Sequence, residues 1–277
     1  MKAEQAKNIA EEALARLADA LEAGRSETLV RYLATMARFH DYSFGNVMLI
    51  YTQKPDATHV AGFRAWKNLG RFVRKGEKGI AIIAPMLIRP KDRDDDKSFL
   101  RFKAVYVFDG SQTEGEPLPE FACVNGNPNG HTERLKALVA SKGIALEYTD
   151  NLLGAHGRSS GGRIELRPGL SPAEEFSVLT HELAHEMLHK DDRRNGTSKT
   201  IRETEAEAVA FVVCQAIGLD TNTAAADYIQ LYAGDKATLA ESLDHIQKTA
   251  AEIITAIKDD EHRASRHTGT VPAEVHA

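Results

Sequence analysis

The sequence predicts an α+β protein with two domains, residues 1–125 and residues 126–277. The first half begins with amphipathic helical patterns and continues into short apolar runs that are typical of a β-hairpin. The second half is organised around one strongly signalled helix. Between them, residues 110–130 are rich in glycine, proline and asparagine, which is typical of a linker. A chain of 277 residues, 42% of them hydrophobic, can bury two modest cores.

The elements of the first domain follow from periodicity and from breakers. Residues 3–22 and 26–39 predict two helices broken at Gly24, and a third helix is expected to start at Ser43. Shorter elements follow: a strand at 58–61, a helix at 63–69, and two antiparallel strands at 79–85 and 99–108, joined by the charged loop 91–98.

In the second domain, a helix at 132–141 and a strand at 144–148 precede a further strand at 161–167. We expect this last strand to be the edge beside a cleft, where a peptide could add as another strand. A purely structural edge strand fits the same residues. Helices are also expected at 202–213, 223–233 and 236–258, followed by a polar, loose tail from Asp259.

The central helix lies within Leu170–Lys190. Ser171 is placed as the N-cap, Pro172 occupies the first helical position, and Glu174 completes a capping box. Apolar residues recur at three- and four-residue steps and give the helix a face to bury: Phe176, Leu179, Leu183 and Met187. The polar insert of this helix therefore has a defined orientation.

That insert is the motif His-Glu-Leu-Ala-His at 181–185. Histidines four residues apart lie on one side of a helix, so His181 and His185 can bind one zinc ion. Glu182 lies beside them and is placed to take a proton from an attacking water. The alternative is a polar helix face that carries two histidines. His189 is one turn further on, too distant to share the metal, and is expected either behind a ligand or on the surface.

The next predicted helix offers a third ligand. Glu203 and Glu207 flank its apolar stripe, whereas Glu205 falls nearly opposite Glu203 and is expected to face solvent. We predict Glu203 as the ligand and Glu207 as the carboxylate that orients a ligand histidine. The order of these two roles stays open, and a solvated glutamate-rich face is the alternative.

Composition favours a protein of the reducing cytoplasm. Its two cysteines, Cys123 and Cys214, are far apart and form no CxxC motif, and no apolar run reaches the length of a membrane span. Charge is uneven: up to Asn125 there are 19 Lys and Arg against 17 Asp and Glu, a balance of +2, whereas the remainder has 16 against 23, or −7. The first half is thus the better partner for a polyanion.

One stretch of that half, residues 64–79, interleaves six basic residues with Trp66 and Phe72. Basic side chains for phosphates together with aromatic planes for bases are typical of single-stranded nucleic-acid binding. Trp66 and Phe72 can equally be core residues beside a solvated basic turn. The predicted contacts are Arg64, Trp66, Lys67, Arg71, Arg74, Lys75 and Lys78.

Several motifs resemble the ArdC antirestriction family. They are YSFGN at 42–46, QKPDAT at 53–58, GFRAW at 62–66 and LGRFVRKGEKGI at 69–80, followed by HELAHEMLHK at 181–190 and ETEAEAVAFVV at 203–213. The resemblance extends from about Arg31 to Val213. It implies a protein of mobile elements with an N-terminal domain that binds single-stranded DNA and a C-terminal zincin-like metallopeptidase domain, and it implies protection of entering DNA from host restriction.

Three hypotheses follow. The leading one is a DNA-binding antirestriction protein whose Zn²⁺ site hydrolyses a protein substrate. The second is a non-catalytic protein that coats single-stranded DNA and uses zinc only to brace its fold. The third is a cytoplasmic regulatory metalloprotease with no restriction role. The intact Glu182 favours chemistry, because a structural zinc site needs no base. Tyr148, Tyr228 and Tyr232 are candidates for stabilising an oxyanion, although each also fits a core position.

Overall fold

The computed structural model describes residues 3–88, 99–115, 127–152, 155–219 and 235–267. These residues group into two compact units. Unit 1 comprises the chain up to residue 122 together with residues 224–244, and unit 2 comprises residues 123–223 together with the chain from residue 245 onward. Within the described residues, no helix combines the length and the apolar character that a membrane crossing requires.

Unit 1 opens with the three predicted helices: α1 (Ala3–Glu22), α2 (Glu27–Arg38) and α3 (Phe44–Gln53). Gly24 has a φ of 73° in the turn between α1 and α2, a conformation that glycine adopts without strain. The apolar stripes of the three helices form a common core, at whose centre Tyr32 packs edge-on against Phe44 and Tyr51.

The β-hairpin of unit 1 is also as predicted. β3 (Ile80–Ile88) pairs antiparallel with β4 (Phe99–Asp109), and β1 (Val60–Gly62) lies on the other side of β4. α4 (Phe63–Asn68) follows β1 directly. Two short strands were not predicted: β2 (Arg71–Val73) and β5 (Thr113–Gly115) pair with each other, so part of the expected linker belongs to unit 1.

The outer edge of β3 is covered by two amide side chains from α3. Asn46 donates to the carbonyl of Ile83 at 2.9 Å and accepts from its N–H at 2.8 Å. Gln53 makes the same pair of bonds with Ala81, both at 2.9 Å. The two side chains are seven residues apart, two helical turns, and therefore face the strand together.

Asp109 ties the end of β4 to the start of β1. Its carboxylate accepts from the N–H groups of Thr58 at 2.7 Å, His59 at 3.0 Å and Ser111 at 2.9 Å. Asp109 is 1% exposed, so these hydrogen bonds replace the water that the carboxylate loses.

Unit 2 begins with α5 (His131–Ser141) and a small sheet made of β6 (Ala145–Tyr148), β7 (Gly157–Ser159) and β8 (Arg163–Leu166). β6 runs parallel and β7 antiparallel to β8, which is the middle strand. The expectation that residues 161–167 form the edge was therefore wrong. Among the described strands the edges are β6 and β7, and β7, which packs against α6, was missed because its three residues carry no apolar pattern.

The remaining helices are α6 (Pro172–Leu188), α7 (Asp191–Gly196), α8 (Lys199–Ala216) and α9 (Lys236–His267). α6 packs along α8, and apolar residues of both are fully buried, among them Leu179, Leu183, Val209 and Val212. α9 starts as predicted but continues to His267, so the expectation of a loose tail from Asp259 was wrong up to that residue. The helix predicted at 223–233, the loop at 91–98 and Cys123 lie outside the described residues.

Candidate metal centre and basic surface

The start of α6 sets the orientation of the HExxH motif. Ser171 Oγ accepts the N–H of Glu174 at 3.3 Å, and the Glu174 carboxylate accepts the N–H of Ser171 at 3.0 Å, which is the predicted capping box. The helix then buries Phe176, Leu179 and Leu183. This phase leaves the histidines of the motif only partly covered, on the side that faces α8.

Three possible ligand atoms meet at this point. Nε2 of His181 lies 3.1 Å from Nε2 of His185. Oε2 of Glu203, on α8, lies 3.6 Å from the first nitrogen and 3.4 Å from the second. Tetrahedral zinc with bonds of about 2.0–2.1 Å separates its ligand atoms by about 3.3 Å. The triangle therefore has the size that one such ion requires, and it is made of the two histidines and the glutamate that the sequence selected.

Glu207 lies one turn beyond Glu203 and contacts the other nitrogen of His181, with its Oε2 3.2 Å from Nδ1. A carboxylate at Nδ1 holds the N–H there and leaves Nε2 for the centre of the triangle. The structure thus places Glu203 with the two histidines and Glu207 behind His181.

Charge within the triangle is strongly coupled. Burial lowers the pKa of His181, but hydrogen bonds to Glu203 and Glu207 outweigh it and raise that pKa to about 9. The bond from His181 lowers the pKa of Glu203 to about 2. Burial and the neighbouring His181 lower the pKa of His185 to about 4. At neutral pH the metal-free cluster therefore holds an anionic Glu203, a neutral His185 and a protonated His181, and a bound cation would have to displace the proton from His181 Nε2.

Glu182 is buried between α6 and β7. Burial raises its pKa to about 6, although His181 and the N–H of Ser159 act in the opposite direction. Gly157 makes room for this carboxylate: a Cβ at Gly157 would lie 2.8 Å from Glu182 Oε1 and 2.6 Å from Val178 Cγ1. A glycine within a strand often marks such a close approach, and this was the available sequence signal for the site.

Sequence reasoning misplaced Glu205 and left His189 undecided. Glu205 has no exposed side-chain surface and pairs with His189 and Arg193, so the expectation that it faces solvent was wrong. The side of α8 that carries Glu205 is covered by His189 and Arg193, in addition to the apolar stripe that packs on α6. His189 is likewise buried and lies behind His185 rather than on the surface.

A second carboxylate on α6, Glu186, was missed. It is 3% exposed and accepts the N–H groups of Gly161 at 2.9 Å and Gly162 at 2.7 Å. These bonds hold the turn between β7 and β8 against α6. Glu186 therefore fixes the strand that borders Glu182.

The oxyanion candidates receive little support. Tyr148 is 49% exposed, and its hydroxyl donates to Glu175 Oε1 at 2.6 Å, where Lys136 also binds. Its hydroxyl is thus engaged in a surface ion cluster. Tyr228 and Tyr232 lie outside the described residues.

The basic stretch of unit 1 divides into exposed and engaged side chains. Arg71 donates to the hydroxyl and to the carbonyl oxygen of Thr113. Arg74 donates to the carboxylate of Glu77 and to the carbonyl of Ser111. These two arginines support β2, β5 and the following turn. The other four predicted cations have exposed side chains on α4 and on the turn before β3: Arg64, Lys67, Lys75 and Lys78.

Trp66 is a core residue, and its inclusion among the DNA contacts is corrected. Only 2% of it is exposed, and its indole N–H donates to the carbonyl of Phe108 at 2.8 Å. Neither face of the indole can stack on a base. Other aromatic residues of unit 1 are about half exposed: Phe63 at 55%, Phe72 at 52%, Phe102 at 56% and Tyr106 at 47%.

Comparisons with known proteins agree with both halves of the architecture. Residues 7–123 match the family described as the N-terminal domain of anti-restriction factor ArdC. Residues 132–240 match the IrrE N-terminal-like domain of the peptidase M78 family. An uncharacterized protein of Bacillus anthracis is 25% identical over 281 residues, covering 83% of this chain and 48% of the relative. The chain thus spans about half the length of that relative.

Two crystal structures of the antirestriction ArdC protein from plasmid R388 share this fold. The metal-free form has a TM-score of 0.56 at 19% identity, covering 91% of this chain and 98% of that one. The Mn(II)-bound form has a TM-score of 0.55 at 21% identity, covering 90% and 97%. The R388 protein thus binds a divalent metal.

Proposed function

Because the chain joins an ArdC-type N-terminal domain to an M78 peptidase-like domain, we propose that it is an antirestriction protein with a zinc-dependent peptidase site. In this proposal unit 1 binds single-stranded DNA and unit 2 carries the chemistry. The observation that carries the second part is the triangle of His181, His185 and Glu203 with Glu182 beside it. Protection of incoming DNA from restriction would take place in the cytoplasm, where a free thiol such as that of Cys214 is stable.

Zinc is the cation that best suits this donor set. Two imidazoles and one carboxylate with an open fourth position form the ligand set of a catalytic zinc site, whereas magnesium and calcium prefer oxygen ligands. Manganese is the nearest alternative, since the R388 protein binds it. Zinc at such a site polarises a scissile carbonyl and acidifies water.

The chain's own residues supply the proton transfers. Because the pKa of Glu182 is about 6, this side chain is ionised in most molecules at neutral pH and can accept a proton from the attacking water. The same raised value makes the protonated carboxyl a competent acid toward the leaving nitrogen. Gly157 and the N–H of Ser159 keep this carboxylate against β7.

β7 is the proposed docking edge for an extended peptide. It pairs only with β8 among the described strands, and Gly157 borders Glu182. A substrate segment that adds along β7 would pass the base directly. The turn that Glu186 holds keeps this edge in place.

In unit 1, the proposed DNA surface combines the four exposed cations with exposed aromatic rings. Arg64 and Lys67 lie on the same helix that begins with Phe63, and Lys75 and Lys78 follow Phe72 in the turn before β3. Gly79 packs under Tyr106, since a Cβ there would lie 3.0 Å from Tyr106 Cβ. Phosphates would bind the cations, and bases would stack on the rings without sequence preference.

The experiment compares full-length wild type with Glu182→Gln. A matched control is Glu175→Gln, a glutamate on the same helix that pairs with Lys136 instead. Zinc content, cleavage of fluorescein-labelled casein, single-strand binding and plasmid transfer into a restricting host are measured for all three. Glu182→Gln should keep zinc and DNA binding and lose hydrolysis, whereas Glu175→Gln should behave as wild type.

Protection that persists in Glu182→Gln would assign it to DNA coating and would contradict a role for hydrolysis in antirestriction. Absence of zinc from wild type would contradict the metal site itself. Absence of protection and of DNA binding in wild type would leave the third hypothesis, a regulatory protease.

A further inference from the structure

A buried chain of polar side chains lies behind His185. His189 Nδ1 is 3.0 Å from His185 Nδ1, and His189 Nε2 is 2.9 Å from Glu205 Oε2. Arg193 Nη2 is 2.6 Å from Glu205 Oε1. The side chains of His189 and Glu205 are fully buried, and that of Arg193 is 17% exposed. His189, Glu205 and Arg193 are called the relay below.

The chemistry of these groups gives every hydrogen bond in the relay a direction. Arg193 is always protonated, so it donates to Glu205 and holds it as a carboxylate that can only accept. The hydrogen between Glu205 and His189 must therefore sit on His189 Nε2. His189 and Glu205 are fully buried and Arg193 already balances the charge of Glu205, so a second cation at His189 would be an unbalanced buried charge. With one N–H on the ring, His189 Nδ1 is an acceptor. The hydrogen between the two rings then belongs to His185 Nδ1.

We propose that the relay holds His185 in the Nδ1–H tautomer and thereby keeps its Nε2 lone pair directed at the proposed metal. This inference rests on the proposed metal site. Glu207 makes the corresponding contact at Nδ1 of His181, so each histidine is oriented from behind by a separate carboxylate. For His185 the carboxylate acts through an intervening imidazole. Arg193, Glu205 and His189 are positioning residues in this scheme.

The relay can be reversed by a single substitution. In Glu205→Gln, Arg193 still donates and so attracts the amide oxygen, which turns the amide NH₂ toward His189. His189 Nε2 must then accept, its Nδ1 carries the hydrogen, and His185 Nδ1 becomes the acceptor. The hydrogen of His185 moves to Nε2, where it blocks the metal. If Arg193 is also changed to methionine, the introduced amide can rotate and present its oxygen to His189 again.

The experiment uses the full-length protein and three readouts. Two-bond ¹⁵N–¹H correlation spectra of the metal-free protein report the histidine tautomers. Competition with a chromophoric chelator gives the affinity for Zn²⁺, and the visible spectrum of bound Co²⁺ reports the ligand geometry. The variants are Glu205→Gln, Arg193→Met with Glu205→Gln, and His189→Phe. Glu175→Gln is the matched control, because it alters a glutamate of α6 that pairs with Lys136 and lies outside the relay.

Wild type should show His185 as the Nδ1–H tautomer and His189 as Nε2–H. Glu205→Gln should reverse both tautomers and weaken Zn²⁺ binding about 10–100-fold. The double variant should bind Zn²⁺ more tightly than Glu205→Gln alone, which a purely structural loss does not produce. His189→Phe should also weaken binding, whereas Glu175→Gln should leave the histidine tautomers and the Zn²⁺ affinity unchanged.

Wild-type tautomers and Zn²⁺ affinity in Glu205→Gln would overturn the relay, and so would a double variant weaker than both single changes together. His185→Ala separates this failure from failure of the metal site. If His185→Ala loses Zn²⁺ while the relay variants retain it, the relay is wrong and the site stands. If wild type takes up no Zn²⁺, or His185→Ala binds it unchanged, the site itself is wrong.

Discussion

Trp66 and Phe72 lie six residues apart in the same basic stretch, yet the structure assigns them opposite roles. Trp66 is 2% exposed and hydrogen-bonded to Phe108, whereas Phe72 is 52% exposed on β2. We expect truncation of Trp66 to destabilise unit 1 and truncation of Phe72 to weaken single-strand binding. The two effects can be separated because the ring of Trp66 is buried and that of Phe72 is exposed.

The magnitudes follow from burial. Trp66→Ala should lower the free energy of unfolding by about 3–5 kcal/mol, because the whole indole leaves a cavity. For a unit of this size, at roughly 2–4 °C per kcal/mol, that corresponds to a fall in melting temperature of about 6–20 °C. Trp66→Phe keeps most of the ring and loses one hydrogen bond, about 1–2 kcal/mol. Phe72→Ala should cost about 1 kcal/mol or less in stability and about 1–3 kcal/mol in binding.

Thermal unfolding and fluorescence anisotropy with a labelled 20-nucleotide strand test both residues. Binding is measured at a temperature where every variant is folded. Trp66→Phe should bind as wild type does, and Phe72→Ala should bind about 5–150-fold more weakly with a nearly unchanged melting temperature. Tenfold weaker binding by a fully folded Trp66→Phe would refute the assignment of Trp66 to the core.

Three further predictions concern the metal, acid stability and salt. Glu203→Ala should lose zinc after dialysis and Glu207→Ala should retain it at reduced affinity; the reverse pattern in metal analysis would exchange their roles. Burial raises the pKa of Asp109, but hydrogen bonds from the Ser111 hydroxyl and from the N–H groups of Thr58, His59 and Ser111 outweigh it and leave the pKa lowered. A lowered folded pKa stabilises unit 1 above the unfolded value and loses this effect as pH falls through the folded value. The free energy of unfolding of wild type, measured with urea, should therefore fall below about pH 4. Asp109→Asn should be less stable at pH 7 by about 1–3 kcal/mol and less sensitive to acid, and an equally steep acid response would refute this. Finally, Lys75→Ala and Lys78→Ala should each reduce the salt slope of single-strand binding by about 1, whereas Arg71→Ala should chiefly lower the melting temperature. Equal slopes in all variants would exclude these lysines as phosphate contacts.

The candidate metal centre was largely predictable because its signals are local. The cap at Ser171, the spacing of His181 and His185, and the carboxylates of the next helix are all properties of short sequence segments. The geometry then needed only that α6 and α8 pack along their apolar stripes. Such stripes fix the rotation of each helix about its axis, so the positions of the three possible ligand residues follow from the packing.

What the sequence could not supply depends on contacts between distant segments. Glu205 is buried because α8 is covered on two faces, and a helical wheel assumes one covered face. β7 and β5 are three-residue strands whose only signal is a partner elsewhere in the chain. The burial of Trp66 depends on β4, forty residues away, where Phe108 offers the carbonyl that the indole requires.

The two amides on α3 have a consequence for how this protein behaves at high concentration. An uncovered strand edge is a template for another chain, and β3 is long and apolar enough to act as one. Asn46 and Gln53 occupy the main-chain groups of Ile83 and Ala81 that an incoming strand would use. The two amides make the hydrogen bonds of a neighbouring strand, but they offer no further main-chain groups with which another strand could pair. These two side chains therefore protect the outer edge of β3 from pairing with a strand of another copy when the protein is concentrated.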